Sequence, residues 1–228
     1  MSHIDRTLLR LHVEAVWGVR LPPIEQNDIE VLPGGVQPSW KLLVAEVANG
    51  RVHIWRSDII DRDRKALLMR ANEAMLLPST ESAAPGISRE VALHLAAQPV
   101  LDIARAQEIA HPLTSRDHSL VESFQRDLGE LYLHAEKRPL IGVTTDGRLV
   151  SLAHSSRRTP EACELGVDTL PEARRRGYAL AATVIWTRMV LQEGLIPLYS
   201  ALAANKASLA LAAAAGYRVF TYAATIEG

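Results

Sequence analysis

The segment of this sequence best suited to chemistry combines arginines and glycines directly after an apolar, strand-like run. Residues 166–179 read GVDTLPEARRRGYA. The pattern predicts that a strand ends here, that a proline-containing turn follows, and that a helix begins at or near Arg174. The first turn of a helix presents unpaired N–H groups and the positive end of the helix dipole, which together suit an anion such as a pyrophosphate. Gly177 has no Cβ and would let a phosphate approach the backbone closely.

Two simpler interpretations of the run Arg174-Arg175-Arg176 must be weighed beside this one. The first is a solvated helix start, because runs of charge usually lie on wet surface. The second is a nucleic-acid patch, but no interleaved aromatic residues or wider basic field support it. The whole chain has 228 residues, with 25 Lys and Arg against 26 Asp and Glu, and its net charge of -1 gives no general attraction to nucleic acid or anionic membranes.

Regular elements of the C-terminal half must position this segment. The predicted order is β, β, β, α, β, α, β. The strands fall at 140–143, 149–153, 164–167 and 195–200, with a last one from Tyr217; the helices fall at 172–192 and 207–215. Asp146-Gly147 predicts a hairpin between the first two strands. Gly194 and Gly216 are suited to close the two helices.

The N-terminal half is less regular. The first predicted elements are a helix, or a strand with a helical lead-in, at 4–17, a hairpin with a type I′ turn at Asn49-Gly50, and a helix at 61–77. A loop at 79–86, a helix starting at Ser88 and a loop at His111-Pro112 are predicted next. The last predicted element is a helix that is capped by Thr114 or Ser115 and runs through Leu133. We expect an accessory α+β region at residues 1–110 and a functional domain at residues 111–228.

Two motifs in the right order resemble those of the GCN5-related N-acetyltransferases, the GNAT family. Arg174, Gly177 and Ala179 match the pattern Arg/Gln-x-x-Gly-x-Gly/Ala of motif A. Asn205-Lys206-Ala207-Ser208, followed by Ala215-Gly216-Tyr217, resembles the family's Asn-x-x-Ser, helix, Gly-aromatic segment. The resemblance covers about residues 112–228. It implies an α/β (α+β) fold with a mixed, splayed β-sheet flanked by helices, preceded here by a smaller α+β unit.

The resemblance also implies a binding site for acetyl-CoA. The pantetheine arm would pair with strand backbone in the manner of an added strand, and the helix start would hold the pyrophosphate. The cofactor-binding residues so implied are Val167, Asp168, Thr169, Arg174, Arg175, Arg176, Gly177, Tyr178, Ala179, Leu180, Asn205 and Ser208. For Asn205, plain capping of the following helix is the alternative. Ser208 is as well suited to a structural role as to a ligand contact.

Acetyl transfer to an amine needs a base and benefits from a proton donor for the leaving thiolate. Family members often supply the base from the strand before motif A, which makes Glu164 the first candidate and Asp168 the second. Strand alternation puts both on one face, although ordinary exposed carboxylates would fit there equally well. The family's usual Tyr proton donor is replaced by Ala212, so Tyr217 or Tyr199 would have to substitute, or the thiolate leaves unaided.

The resulting expectation is a cytoplasmic N-acetyltransferase that moves an acetyl group from acetyl-CoA directly to a small-molecule or peptide amine. The alternatives are an acyl-CoA-binding protein with a sensing role and an interaction module with a vestigial cofactor fold. The single cysteine, Cys163, cannot form an internal disulfide, and no His or Cys spacing indicates a metal. No apolar run approaches the ~20 residues of a membrane span. The N-terminal region is expected to shape the acceptor pocket or a contact in a homodimer.

Overall fold

A computed structural model of the chain describes residues 2–78, 81, 83–125 and 129–228. Its helices are α1 Ser2–Trp17, α2 Asp61–Leu76, α3 Ile103–Ile109, α4 His118–Phe124, α5 Gly129–Leu133, α6 Tyr178–Gln192 and α7 Lys206–Ala214. Its strands are β1 Asp28–Glu30, β2 Trp40–Val47, β3 Gly50–Trp55, β4 Ile87–Leu95, β5 His111–Pro112, β6 Ile141–Thr145, β7 Arg148–Arg158, β8 Ala162–Thr169, β9 Ile196–Leu202 and β10 Tyr217–Glu227.

These elements form two compact units, each made of separate chain segments. The first unit comprises Met1–His94, Ser200–Leu209 and Val219–Gly228, and the second comprises Leu95–Tyr199 and Ala210–Arg218. Open β-structure flanked by helices confirms the predicted α+β class. The division at residue 110 into accessory and functional regions stays a prediction. Within the described residues, no helix has both the length and the apolar character needed to cross a membrane.

The first unit is built on the strand order β1-β3-β2-β10-β4, and β10 belongs to it from Val219 onward. β1 runs parallel to β3, and β2 is antiparallel to both β3 and β10. Apolar side chains of α1 pack on this sheet, and the core they form includes Leu9, Val13, Trp40, Leu43 and Ile54. The predicted hairpin is confirmed, but its type I′ turn is wrong. Val47 pairs with Gly50, so Ala48 and Asn49 form the turn, and only Gly50 has a positive φ, of 128°.

The second unit is built on the strand order β9-β8-β7-β6-β5. The strands β5 to β8 are antiparallel neighbours, and β9 joins β8 in parallel. The predicted turn between β6 and β7 is confirmed, because Asp146 and Gly147 have φ values of 51° and 72°. Leu113, Val121, Leu149 and Leu152 belong to the apolar core that holds α4 on this sheet.

Two helical predictions are wrong. Ser88 lies in strand β4 rather than at a helix start, because Val91, Ala92 and Leu93 are consecutive buried residues of a strand that is covered on both faces. The helix from Thr114 begins as predicted, with a capping box between Thr114 and Asp117, but it is not continuous to Leu133. It ends at Phe124 because Gln125 is extended, with φ −144° and ψ 102°.

Some sequence features were missed or cannot be compared with the structure. α3 was not predicted, although its N-cap Asp102 accepts a hydrogen bond from the N–H of Arg105 at 2.9 Å. His111-Pro112, predicted as loop, pairs with β6 as the short strand β5. Ser79, Thr80 and Ser82 of the predicted loop, and Leu128 of the predicted helix, lie outside the described residues.

Candidate functional site

Strand β8 in the second unit has one edge that is only partly paired. On one side, residues 163–169 pair antiparallel with β7. On the other, the parallel register with β9 covers Ala162, Cys163 and Glu164, and among the described residues it ends there. Five residues, 165–169, therefore continue beyond the last parallel pair. Their backbone groups on that side are oriented to pair with an extended ligand, as an added strand would.

The C-terminal end of β8 is fixed by a buried serine of β7. The Ser151 hydroxyl donates to the carbonyl of Asp168 at 3.1 Å and lies 2.7 Å from the hydroxyl of Thr169. The N–H of Leu170 donates to the carbonyl of Val150 at 3.0 Å, and a 3-10 turn, Pro171–Ala173, follows. The strand end and the turn after it are thus held against β7 before the arginine run begins.

The arginine run forms a loop, so the predicted helix start at or near Arg174 is wrong, and α6 begins at Tyr178. Arg175 and Gly177 have left-handed φ values of 62° and 82°, which interrupt helical geometry until Tyr178. A Cβ on Gly177 would meet nothing within 4 Å, so open space lies beside this backbone. Left-handed backbone favours glycine at Gly177, whereas Arg175 carries the steric cost of its Cβ.

The N–H groups of residues 175–180 have no carbonyl acceptors within the described chain. The first bond of helix α6 runs from the N–H of Ala181 to the carbonyl of Gly177 at 3.0 Å. Tyr178, Ala179 and Leu180 form the first turn of α6, so their N–H groups are those a helix leaves unpaired. Together with the loop they make a cradle of donors at the positive end of the helix dipole.

Exposed positive charge lies around this cradle. Arg174, Arg175 and Arg176 are all exposed. Nε of Arg174 donates to the carbonyl of Thr169 at 3.3 Å, which ties that side chain to the end of β8. Guanidinium groups are well matched to phosphate oxygens, so the loop combines backbone donors with side-chain charge.

The two predicted base candidates share one face of β8, as strand alternation requires. Glu164 is 5% exposed, and the Ser156 hydroxyl lies 3.3 Å from its carbonyl oxygen and 3.4 Å from Oε2. Asp168 is exposed. Four residues of strand separate their Cα atoms by about 13 Å, so the two carboxylates do not share one proton-transfer step.

Three residues that the sequence interpretation missed lie on the same face, near Asp168. The Tyr132 hydroxyl is 3.4 Å from Oδ2 of Asp168 and donates to Oε1 of Gln125 at 2.8 Å. The imidazole of His154 meets the Tyr132 ring edge-on, with centroids 4.9 Å apart. His154 pairs across the strands with Gly166, and a glycine inside a strand is the sequence signal that marks such a close approach.

Burial sets the protonation of this group of residues. Desolvation, together with the neighbouring charge of Asp168, raises the pKa of Tyr132 from 10.0 to about 12. Desolvation lowers the pKa of His154, which is 8% exposed. At neutral pH, Tyr132 therefore keeps its proton and His154 is uncharged.

The predicted proton donors lie in the interior of the second unit. Tyr217 is fully buried, and its hydroxyl is 2.8 Å from the hydroxyl of Thr187. Burial raises the pKa of Tyr217 well above the ordinary value of a tyrosine. Tyr199 is also buried, with its ring tilted against that of Tyr217 at 5.6 Å. Ala212 is fully buried in α7. This geometry counts against Tyr217 as a catalytic acid and favours a core role.

The remaining candidates are placed as follows. Asn205 and Ser208 belong to the first unit. The side-chain oxygen of Asn205 accepts from the N–H of Ser208 at 3.1 Å, which is the capping role weighed as its alternative. Burial raises the pKa of the Cys163 thiol, as expected of a core residue and not of a nucleophile.

Comparison with known proteins identifies the class. The family model for GNAT acetyltransferases matches residues 106–224. The chain therefore belongs to the GNAT acetyltransferase family and is an acyltransferase, which confirms the resemblance seen in the sequence.

One solved structure agrees with this assignment at the level of the fold, and two further similar structures are given after it. A GNAT-family acetyltransferase from Colwellia psychrerythraea is 14% identical, covers 77% of this chain and 75% of its own, and has a TM-score of 0.54. A GNAT-family acetyltransferase from Novosphingobium aromaticivorans is 21% identical, covers 65% of this chain and 70% of its own, and has a TM-score of 0.48. An aminoglycoside N-acetyltransferase in complex with CoA is 18% identical, covers 49% of this chain and 92% of its own, and has a TM-score of 0.41. No curated protein matches this chain significantly.

Proposed function

We propose that this protein transfers an acetyl group from acetyl-CoA directly to an acceptor amine, without a covalent enzyme intermediate. One observation carries the proposal. Strand β8 continues for five residues past its last parallel pair with β9 and leads into a loop whose N–H groups have no acceptors in the described chain. An extended arm followed by a diphosphate matches that sequence of backbone donors.

The residues present fit acetyl-CoA. The backbone of Val167, Asp168 and Thr169 would pair with the pantetheine arm, and the N–H groups of residues 175–180 would hold the pyrophosphate beside Arg174, Arg175 and Arg176. The open space beside Gly177 leaves room for the phosphates. Asn205 and Ser208 are proposed pantetheine contacts on the family resemblance alone. When bound, acetyl-CoA supplies an activated thioester.

Glu164 is our proposed general base. The amine must lose a proton before it can attack, and a carboxylate shielded from water can accept one, directly or through a water molecule. Glu164 lies at the last parallel pair, where β8 and β9 cease to pair, and it is largely buried. Because the hydroxyl of Tyr217 is enclosed with Thr187, we propose that the thiolate, whose thiol has a pKa of ~8.5, leaves without a tyrosine donor.

The second candidate function is an acyl-CoA-binding sensor with little turnover. Ala212 favours it, because a buried methyl group stands where the family's proton-donating Tyr is expected. Both functions predict coenzyme binding, and only acetyl transfer predicts release of free thiol that depends on an amine.

Calorimetry with acetyl-CoA, followed by a thiol-release assay over a panel of diamines, amino acids and peptides, tests the proposal. We expect binding, and thiol release that requires an acceptor. Glu164→Gln should lower kcat by about 100-fold at unchanged coenzyme affinity. Glu136→Gln, an exposed change in the same unit, is the matched control. Tight binding without acceptor-dependent release would favour the sensor, and absence of binding would reject both functions.

The setting of the reaction is also a proposal. A single thiol that is buried suits a reducing compartment, so we propose a cytoplasmic enzyme. The absence of a metal requirement and a homodimer contact through residues 1–110 remain predictions.

A further inference from the structure

The exposed carboxylate of Asp168 has oxygen neighbours that have no part in the proposed binding of acetyl-CoA. Its Oδ2 is 3.4 Å from the Tyr132 hydroxyl, and that hydroxyl is 2.8 Å from Oε1 of Gln125. A carboxylate, a phenol and an amide oxygen thus lie together on the face of β8 that also carries Glu164. The backbone of Asp168 is assigned to the coenzyme, but its side chain has no such task.

A buried histidine packs against the Tyr132 ring of this group. The His154 imidazole lies against Gly166 on one side and against the Tyr132 ring on the other. His154 is buried, and it is uncharged at neutral pH because desolvation lowers its pKa. His154 therefore adds no positive charge that would neutralise Asp168.

The Asp168 carboxylate accepts from the Tyr132 hydroxyl, but among the described residues it has no cationic partner. Across the part of the chain that the structure describes, no Lys or Arg forms an ion pair with this carboxylate. An exposed carboxylate flanked by two further oxygen acceptors matches the three N–H donors of an alkylammonium group. The same arrangement repels a carboxylate of a bound molecule.

We propose that Asp168, Gln125 and Tyr132 bind a second, non-reacting ammonium group of the acceptor, so that the preferred acceptors carry a positive charge besides the amine that is acetylated. This inference rests on the proposed function, since it names the substrate class of that same site. Asp168 supplies the charge, the Gln125 oxygen accepts a second N–H, and the Tyr132 oxygen accepts a third. His154 acts as a positioning residue, because it touches Tyr132 and not the acceptor.

The test compares two acceptors, putrescine and γ-aminobutyrate, which share a four-carbon chain and a primary amine but differ in the charge of the far group. With acetyl-CoA present, we expect KM for putrescine to be at least ~10-fold lower than KM for γ-aminobutyrate. Asp168→Asn should raise KM for putrescine at least ~10-fold and should not raise KM for γ-aminobutyrate, because the variant removes the charge that attracts the first acceptor and repels the second. Equal KM values for the two acceptors in the unaltered protein would overturn the inference.

Asp102→Asn is the matched control. It removes an exposed aspartate charge from the same unit, and asparagine caps α3 as well as aspartate does. If Asp102→Asn changes KM for putrescine as much as Asp168→Asn does, the effect is general electrostatics and the inference fails.

Direct binding keeps the inference separate from turnover. Saturation-transfer NMR should detect putrescine on the unaltered protein and lose the signal in Asp168→Asn. Absence of that signal on the unaltered protein overturns the inference, whether or not acetyl-CoA binds. Failure of the proposed function is read independently, from calorimetry and from thiol release with every amine in the panel.

Discussion

Gly166 of β8 and His154 of β7 face each other across the strand pair, and the imidazole covers the glycine. A Cβ built on Gly166 would lie 2.5 Å from both Cε1 and Nε2 of His154. Glycine weakens a strand interior unless it permits a close approach, and this approach is the one that holds the Tyr132 ring edge-on to His154.

Gly166→Ala should therefore destabilise the protein, because the new methyl group displaces a buried ring. We expect a loss of about 1–3 kcal/mol in the free energy of unfolding by urea denaturation. His154→Ala in the same chain removes the clash, so the double variant should be more stable than the sum of the two single effects implies.

Gly35→Ala is the control for the loss of a glycine. Gly35 has an ordinary φ, and its nearest atom would be 3.9 Å from the added Cβ, so no destabilisation is expected. If the effects of Gly166→Ala and His154→Ala on the free energy of unfolding were strictly additive, the expected steric clash between the new methyl group and the imidazole would be absent.

Much of the second unit could be predicted from local sequence, because its turns and caps carry strong signals. Asp146-Gly147, Gly194 and Gly216 mark real chain reversals or helix ends. The start of α6 was misplaced because left-handed φ at an arginine, Arg175, has no sequence signature. The Tyr132–Asp168 pair was missed because the two residues are 36 positions apart, and only the sheet brings them together.

Gly177→Ala tests the proposal that the cradle of N–H donors binds a pyrophosphate. Alanine at φ 82° costs about 1–2 kcal/mol of stability, and its methyl group enters the open space proposed for the phosphates. We expect calorimetry to show at least ~10-fold weaker acetyl-CoA binding, because the donors can no longer approach the diphosphate.

Gly194→Ala separates this effect from backbone strain. Gly194 ends α6 with φ 77° and also has nothing within 4 Å of an added Cβ. It should lose similar stability and bind acetyl-CoA as the unaltered protein does. Equal affinities in the two variants would remove the cradle from the proposal.

Tyr217→Phe distinguishes a core tyrosine from a proton donor. The variant removes one hydroxyl and leaves the Thr187 hydroxyl without its partner at 2.8 Å. We expect about 1–2 kcal/mol lower stability in denaturant unfolding and a change in kcat of less than about threefold. A fall in kcat of ~100-fold or more would instead restore Tyr217 as the catalytic acid.

The Tyr132–Asp168 pair should be visible in an alkaline titration. The difference in phenolate absorbance between the unaltered protein and Tyr132→Phe isolates Tyr132, and its midpoint should lie at about 12. Asp168→Asn should lower that midpoint, because the carboxylate charge opposes ionisation, while burial still holds it above 10.0. An unchanged midpoint in Asp168→Asn would show that the carboxylate does not act on the phenol.

The same shift makes stability depend on pH. Above pH 10.0 the unfolded chain ionises this tyrosine while the folded chain keeps its proton until about 12. The folded state then binds more protons, so its stability falls as pH rises through that window. We expect the loss to be on the order of 1–2 kcal/mol, with solvent screening allowed for, and to be absent from Tyr132→Phe.

Asn205 has a capping role in the structure and a proposed role in coenzyme binding, and a pair of variants can separate the two. Its side-chain oxygen caps α7 through the N–H of Ser208, which leaves the amide nitrogen for the proposed coenzyme contact. Asn205→Asp keeps a capping oxygen and removes the amide donor, so stability should stay within about 0.5 kcal/mol. Acetyl-CoA affinity should fall by about 10-fold, because a lost hydrogen bond is compounded by the added charge. Asn205→Ala should lose both the cap, about 1 kcal/mol in thermal unfolding, and the affinity. If Asn205→Asp binds acetyl-CoA at full strength, capping is the whole role of Asn205.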